Sequence, residues 1–287
     1  MIMITLIRRA VCSGSIILIA IGAQAQNLFV SDYSSGNIYE LTPDGTESVF
    51  STGLAKSEGL AFDSNDNLFV ASQTGGNITE ISPGGVQSTF SSGFASPSGI
   101  AMHGDLYVAS QTGDTVTSIT TFGSKSTFAT GLDDPNGIAF NNNDLFEADT
   151  GSGKIYEIPL IGLHNKITFA SGLSSPFGLA FNNAGDLFVS AGSSIYEYTG
   201  GTKSTFASGL DGPTAMAFNA AGNLFVGSTS GNIYEFTPDG TESVFETGVG
   251  DVSGLAIDPA PEPSVLSISA FGGIVIGIIF RKQKKLN

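Results

Sequence analysis

The chain has 287 residues and a net charge of −15, with 38 Gly, no Trp and a single Cys. That length holds one large β domain or two ordinary ones. The acidity argues against a nucleic-acid or anionic-lipid surface, and Gly-, Ser- and Asn-rich turns between short apolar runs point to an all-β protein.

Residues 1–25 read as an export signal. Arg8 and Arg9 form a basic flank, Ala10 to Ala23 is largely apolar, and Ala23-Gln24-Ala25 fits a small-x-small cleavage site. Cleavage is expected between Ala25 and Gln26. As a membrane anchor the apolar run is short, since a span needs about 20 residues. Cys12 lies within this segment, ahead of most of its apolar run, and is badly placed for lipid attachment. The mature chain would therefore contain no cysteine and no disulfide, despite export.

From residue 26 to 259 the chain repeats. One strand motif recurs at Asn27 (NLFVSD), Asn67 (NLFVAS), Asp105 (DLYVAS), Asp144 (DLFEAD), Asp186 (DLFVSA) and Asn223 (NLFVGS), at intervals of 40, 38, 39, 42 and 37 residues. A second strand follows each, as in GNIYELTP, then a third, as in TESVFSTG, then a fourth, GLAFD at Gly59 and its relatives. Four strands every ~40 residues predict blades of a β-propeller, and no repeat shows the period of a helix. The GLAF strand is apolar on both faces and is expected nearest the axis, and the mixed TESVF strand at the outer edge. The first repeat has no inner strand of its own, and the last supplies a spare one, Gly254 to Asp258. Pairing the two closes a ring of six blades. Between Gln26 and Asp258 there are 25 Asp and Glu against five Lys and no Arg, about −20 in net charge.

Residues 260–287 form a separate segment. Pro261-Glu262-Pro263 precedes an apolar run, Val265 to Phe280, and a basic end, Arg281-Lys282-Gln283-Lys284-Lys285. An apolar stretch with a basic end reads as a membrane stop with its Lys and Arg on the cytoplasmic side. This order of parts resembles the PEP-CTERM sorting signal of Gram-negative bacteria. The resemblance implies recognition and removal by an exosortase-type enzyme, transient anchoring in the inner membrane, and release to the cell surface or extracellular matrix. A plain tail anchor is the alternative.

The repeats, and above all Pro135-Asn136-Gly137-Ile138-Ala139-Phe140 with Asp144-Leu145-Phe146 and Ala148-Asp149-Thr150-Gly151, resemble NHL-type propellers and the senescence marker protein/gluconolactonase group. The residues just before the six inner strands, expected at the channel mouth, are Glu58, Ser98, Asn136, Phe177, Thr214 and Ser253. They are the candidate ligand-binding residues. In the gluconolactonase-like group a Glu, the Asn of Pro-Asn-Gly and an Asp hold a divalent metal that polarises a lactone carbonyl. The resemblance carries that role to Glu58 and Asn136, with an ion such as Ca²⁺, but the Asp falls at Phe177, which cannot ligate. Asp63 to Asn67 reads as a hairpin turn and not a Ca²⁺ loop, because it lacks the loop's Gly and distal Glu. His103 and His164 belong to no catalytic spacing. Tyr39, Tyr156, Tyr196 and Tyr234 recur at one blade position and are expected to pack between blades. The leading expectation is an exported, non-catalytic binding or scaffold propeller without a cofactor, with extracellular polysaccharide or a surface protein as partner. The alternative is a metal-dependent lactonase or related lyase.

Overall fold

The computed structural model describes residues 26–259. The expected export segment and sorting segment, with the Ala25–Gln26 junction and Pro261-Glu262-Pro263, lie outside that range, Gln26 excepted. The described residues form twenty-four strands in six four-stranded antiparallel sheets, from β1 (Leu28–Asp32) to β24 (Val252–Ile257), with one 3-10 turn at Gln111–Gly113. This is a six-bladed β-propeller. Among the described residues no helix is long and apolar enough to cross a membrane.

The ring closes as the sequence predicts. The first blade has the order β24, β1, β2 (Asn37–Leu41), β3 (Glu47–Ser51). Leu28 pairs with Ile257 and Val30 with Leu255, so the two ends of the ring are held by one sheet. Hairpin turns have their usual chemistry. At Pro43-Asp44-Gly45 the Gly45 N–H donates to Thr42 O at 2.8 Å, and φ of +82° requires glycine.

The GLAF strand lies innermost and the TESVF strand outermost, as expected. The most deeply buried strand of each blade is the second, the LFV strand, not the inner GLAF strand. The inner strand turns one face to the axial channel, whereas the second is enclosed by both neighbouring blades. Outer strands such as β3 are exposed over much of their length, as expected. Six apolar clusters fill the six blade junctions. Phenylalanines link them edge to face: Phe29 meets Phe50 of its own blade at 5.0 Å and Phe62 of the next at 5.1 Å. Tyr39, Tyr156, Tyr196 and Tyr234 pack on these clusters.

The recurring glycine of the inner strands answers to crowding around the axis. A methyl on Gly99 would meet the carbonyl oxygen of Asn136, and one on Gly137 that of Phe177. Five of the six inner strands lie this close to the next blade's backbone, and the sixth carries Ala215 at that position.

Candidate functional site

The six mouth residues lie inside the inner strands, as the second residue of each, and not ahead of them. In β4 (Ser57–Phe62), Ser57 still pairs with Ser72 and Leu60 with Val70, so Glu58 and Gly59 oppose a single residue. Such a bulge recurs in β8 (Pro97–His103), β12 (Pro135–Asn141), β16 (Pro176–Phe181), β20 (Pro213–Phe218) and β24. A bulge re-aims the side chain it carries. Sequence periodicity alone does not reveal it.

Glu58, Ser98, Asn136, Phe177 and Ser253 line the channel cavity, which has a volume of about 150 Å³. Thr214 does not, and Ala215 and Met216 form the wall there. Three of the six side chains tie blades together. Ser98 Oγ donates to Pro135 O at 2.9 Å, Thr214 Oγ1 to Val252 O at 2.6 Å, and Ser253 Oγ to Ser57 O at 2.7 Å. Each acceptor is the first residue of the next inner strand. These hydroxyls are already committed to the fold.

Glu58 and Asn136 sit two blades apart and are joined by residues the sequence reading missed. Lys56 Nζ donates to Tyr33 Oη at 3.0 Å, and Tyr33 donates to Gln73 Oε1 at 2.7 Å. Gln73 Nε2 donates both to Glu58 Oε1 at 2.8 Å and to Gln111 Oε1 at 2.6 Å. Gln111 Nε2 then donates to Asn136 Oδ1 at 2.6 Å, Asn136 Nδ2 to Thr150 Oγ1 at 2.7 Å, and Thr150 to Pro176 O at 2.6 Å. From Tyr33 through Gln73, Gln111, Asn136 and Thr150 to Pro176 the donors run in one sense around the mouth, so each bond polarises the next. Tyr33, Gln73, Gln111 and Thr150 occupy one blade position, just after the second strand, and are half-buried. Gly192 and Thr229 follow on the other side of the ring, where Phe177 faces the channel. The signal for the arc was the tetrapeptide SQTG, present at Ser72 and again at Ser110.

Glu58 is 5% exposed. Burial, then the charge of Asp134, pushes its carboxyl up to about 8, against an opposing pull from Lys56 and with a smaller push from Asp251. It is therefore mostly protonated at neutral pH and has a proton to donate.

The donor set does not fit a metal ion. Asn136 Oδ1 and one Glu58 oxygen are occupied by amide N–H groups, two glutamine side chains lie between the two residues, and Phe177 holds the third position. Among the described residues no group of three or more His, Cys, Asp or Glu is placed to hold an ion. Elsewhere, Asp63 Oδ1 accepts the N–H groups of Asn65 at 2.8 Å and Asn67 at 2.9 Å, which closes a hairpin turn. His103 stacks on Phe140 at 4.7 Å, and His164 lies over Phe128 at 4.4 Å with Nε2 3.0 Å from Leu160 O. Both histidines serve packing.

No family model matches the chain, and neither does any curated protein. Solved structures do. A chain of a nidogen/laminin complex superposes with a TM-score of 0.75 at 20% identity, over 82% of this chain and 99% of that one. A gluconolactonase from Xanthomonas campestris gives 0.65 at 18% identity, over 81% and 88%. A streptogramin B lyase gives 0.62 at 18%, over 82% and 88%. At such identities the likeness shows the fold. The chain is a six-bladed β-propeller with structural neighbours of nidogen type and of gluconolactonase and lyase type.

Proposed function

We propose that this protein is an exported, non-catalytic β-propeller that works as a binding or scaffold module at the cell surface or in the extracellular matrix. The observation that carries this reading is the hydrogen-bonded arc on one side of the channel mouth. The polar groups a metal-dependent hydrolase would direct at its substrate are hydrogen-bonded to one another, and a phenyl ring stands where a third ligand is needed. The neighbours in fold include a chain from a binding complex as well as enzymes, so the reading rests on the mouth and not on them. Export rests on the character of residues 1–25. Sorting by an exosortase-type enzyme, with transient membrane anchoring, rests on the resemblance of residues 260–287. Extracellular polysaccharide and surface proteins are the partner classes that go with that destination.

A broad lactone panel, run with added divalent cations and with chelator, tests the reading. The expected result is no turnover above background and no change on Glu58→Gln. Turnover that chelator and Glu58→Gln both abolish would establish the lactonase alternative instead. Fractionation of the native cells is expected to place the chain, lacking residues 260–287, in the surface or matrix fraction. Retention of the full-length chain in the inner membrane would remove the support for a matrix role.

A further inference from the structure

Strand register fixes which groups share the face opposite the channel mouth. In the first blade Leu41 ends the third strand and pairs with Leu28, and Leu28 pairs with Ile257. The turn after Leu41 and the chain exit at Asp258 therefore lie on one face. The same register links Ile81, Leu68 and Phe62 in the second blade, Ile119, Leu106 and Met102 in the third, and Ile158, Leu145 and Phe140 in the fourth. In each of these blades the turn between third and outer strands is on the exit face.

That face is uneven. Five of the seven large apolar side chains exposed among the described residues belong to the second, third and fourth blades: Val86, Phe122, Ile161, Leu163 and Ile167. All five lie in or beside the turn that leads to the outer strand. Phe122 is 95% exposed, Leu163 87%, Ile161 79% and Val86 70%. In the first and sixth blades the position of Phe122 holds Asp44 and Asp239. Ile161 and Leu163 belong to the loop insertion of the fourth blade. That loop is held at both ends, because Leu160 packs on a junction cluster and His164 lies over Phe128 of the third blade. The outer strands divide in the same way. They open with Glu47 and Glu242 in the first and sixth blades, whereas Lys125 opens β11 (Lys125–Thr130) and Lys166 precedes β15 (Ile167–Ser171). Single exposed apolar side chains are ordinary, but a run of them along three adjacent blades marks an interaction surface.

The place where the chain leaves the ring says what covers this edge. Only six residues, 259–264, separate Asp258 from Val265, where the apolar run expected to stop in a membrane begins. Fully extended, they bridge at most about 25 Å. A tether that short keeps the exit face against the bilayer. Apolar tips flanked by lysines suit a surface that sinks into the headgroup layer and leaves its ammonium groups at phosphate level. The acidic turns of the first and sixth blades favour water, so the ring is expected to tip onto its apolar edge.

We infer that the edge carried by Val86, Phe122, Ile161 and Leu163 rests in the lipid surface, ~5–10 Å deep in the headgroup and acyl boundary, while the chain is anchored. The inference rests on the reading of residues 260–287 as a membrane segment.

Tryptophan fluorescence tests it. The chain has no Trp, so one introduced Trp reports its own surroundings. The full chain, with residues 260–287 retained, is reconstituted into phosphatidylcholine vesicles as Phe122→Trp, Leu163→Trp or Thr112→Trp. Thr112 is exposed on the mouth side, in the 3-10 turn of the third blade. All three sites are exposed, and an unchanged melting transition shows that each variant folds. Phosphatidylcholine brominated near the head of its acyl chains is expected to quench most of the emission of the Phe122 and Leu163 variants and none of that of the Thr112 variant. Vesicle flotation separates this inference from the reading it rests on. A chain that fails to float overturns both. A chain that floats, with the two edge variants quenched no more than the Thr112 variant, overturns this inference alone. So does edge emission that shifts to the blue without quenching, because a second copy of the chain then covers the edge.

Discussion

Replacing Glu147 by Val tests the energetics of the ring at its most anomalous position. Glu147 lies in the second strand of the fourth blade, β13 (Asp144–Asp149), where the other five blades have Val30, Val70, Val108, Val189 and Val226. All six residues are 0% exposed. Neither carboxyl oxygen of Glu147 has a hydrogen-bond partner. Burial, with the nearby Asp149, holds the group well above the usual carboxylate value of 4.5, against a smaller opposing effect of Lys166. An unpaired buried polar group costs about 1–3 kcal/mol. Glu147→Val should therefore stabilise by about 2 kcal/mol in mild acid, or roughly 4–8 °C in melting temperature for a domain of this size. The pH dependence gives a sharper check. Below 4.5 the carboxyl is protonated in both folded and unfolded chains. Above it the unfolded chain ionises and the folded one does not. The wild type then loses about 1.4 kcal/mol per pH unit until its own raised value is reached. Melting both proteins by circular dichroism from pH 4 upward should show a gap that widens with pH. Glu147→Gln should remove that widening but keep the polar penalty. A gap that stays flat or narrows as pH rises would mean that Glu147 is ionised and paired in the folded ring, and the reasoning fails.

Glu58→Gln should likewise flatten the pH dependence of stability, in this case between 4.5 and about 8, because the wild type loses stability as pH rises through that window; urea midpoints across the range check it. Gly137→Ala should cost about 1–3 kcal/mol, since the methyl meets the backbone oxygen of Phe177, and the reverse change at the sixth blade, Ala215→Gly, should cost less than 1 kcal/mol; denaturant midpoints compare the two. Truncation after Asp251 removes β24 and with it Val252 and Leu255 from the junction that closes the ring. The shortened chain is expected to show no cooperative thermal transition by calorimetry.

Strand order, blade count and ring closure were legible in the sequence because each repeat states them again. Six copies of NLFV and GLAF leave little freedom in how strands pair, and a missing first inner strand matched by a spare last one dictates where the ring shuts. The mouth was harder to read. Its six positions could be named, but the bulge that re-aims them adds one unpaired residue without altering the apolar pattern. The commitments of Ser98, Thr214 and Ser253 to neighbouring carbonyls depend on how close adjacent inner strands come to one another, which no single repeat encodes. Gln73 and Gln111 were visible as the doubled SQTG, yet their contacts reach across blades, so nothing in the local pattern joined them to Glu58 and Asn136.

Departures from the repeat carry more functional information than the repeat itself. A six-fold ring built from one unit has six equal mouths and six equal junctions, and packing alone favours keeping them equal. This chain breaks the symmetry in places where packing gains nothing. The position after the second strand is Tyr33, Gln73, Gln111 and Thr150 on one side of the ring and Gly192 and Thr229 on the other, which makes the mouth polar on one side only. Thr79 stands where four blades have a Tyr, and Gln87 where three have a Lys. Local rules that fail without an evident structural gain are where selection for something other than folding is expected. Glu147 fits the same logic from the other direction. It has a stability cost and no accessible surface through which to bind anything, so Glu147→Val is expected to stabilise the ring and leave the arc at the channel mouth unchanged.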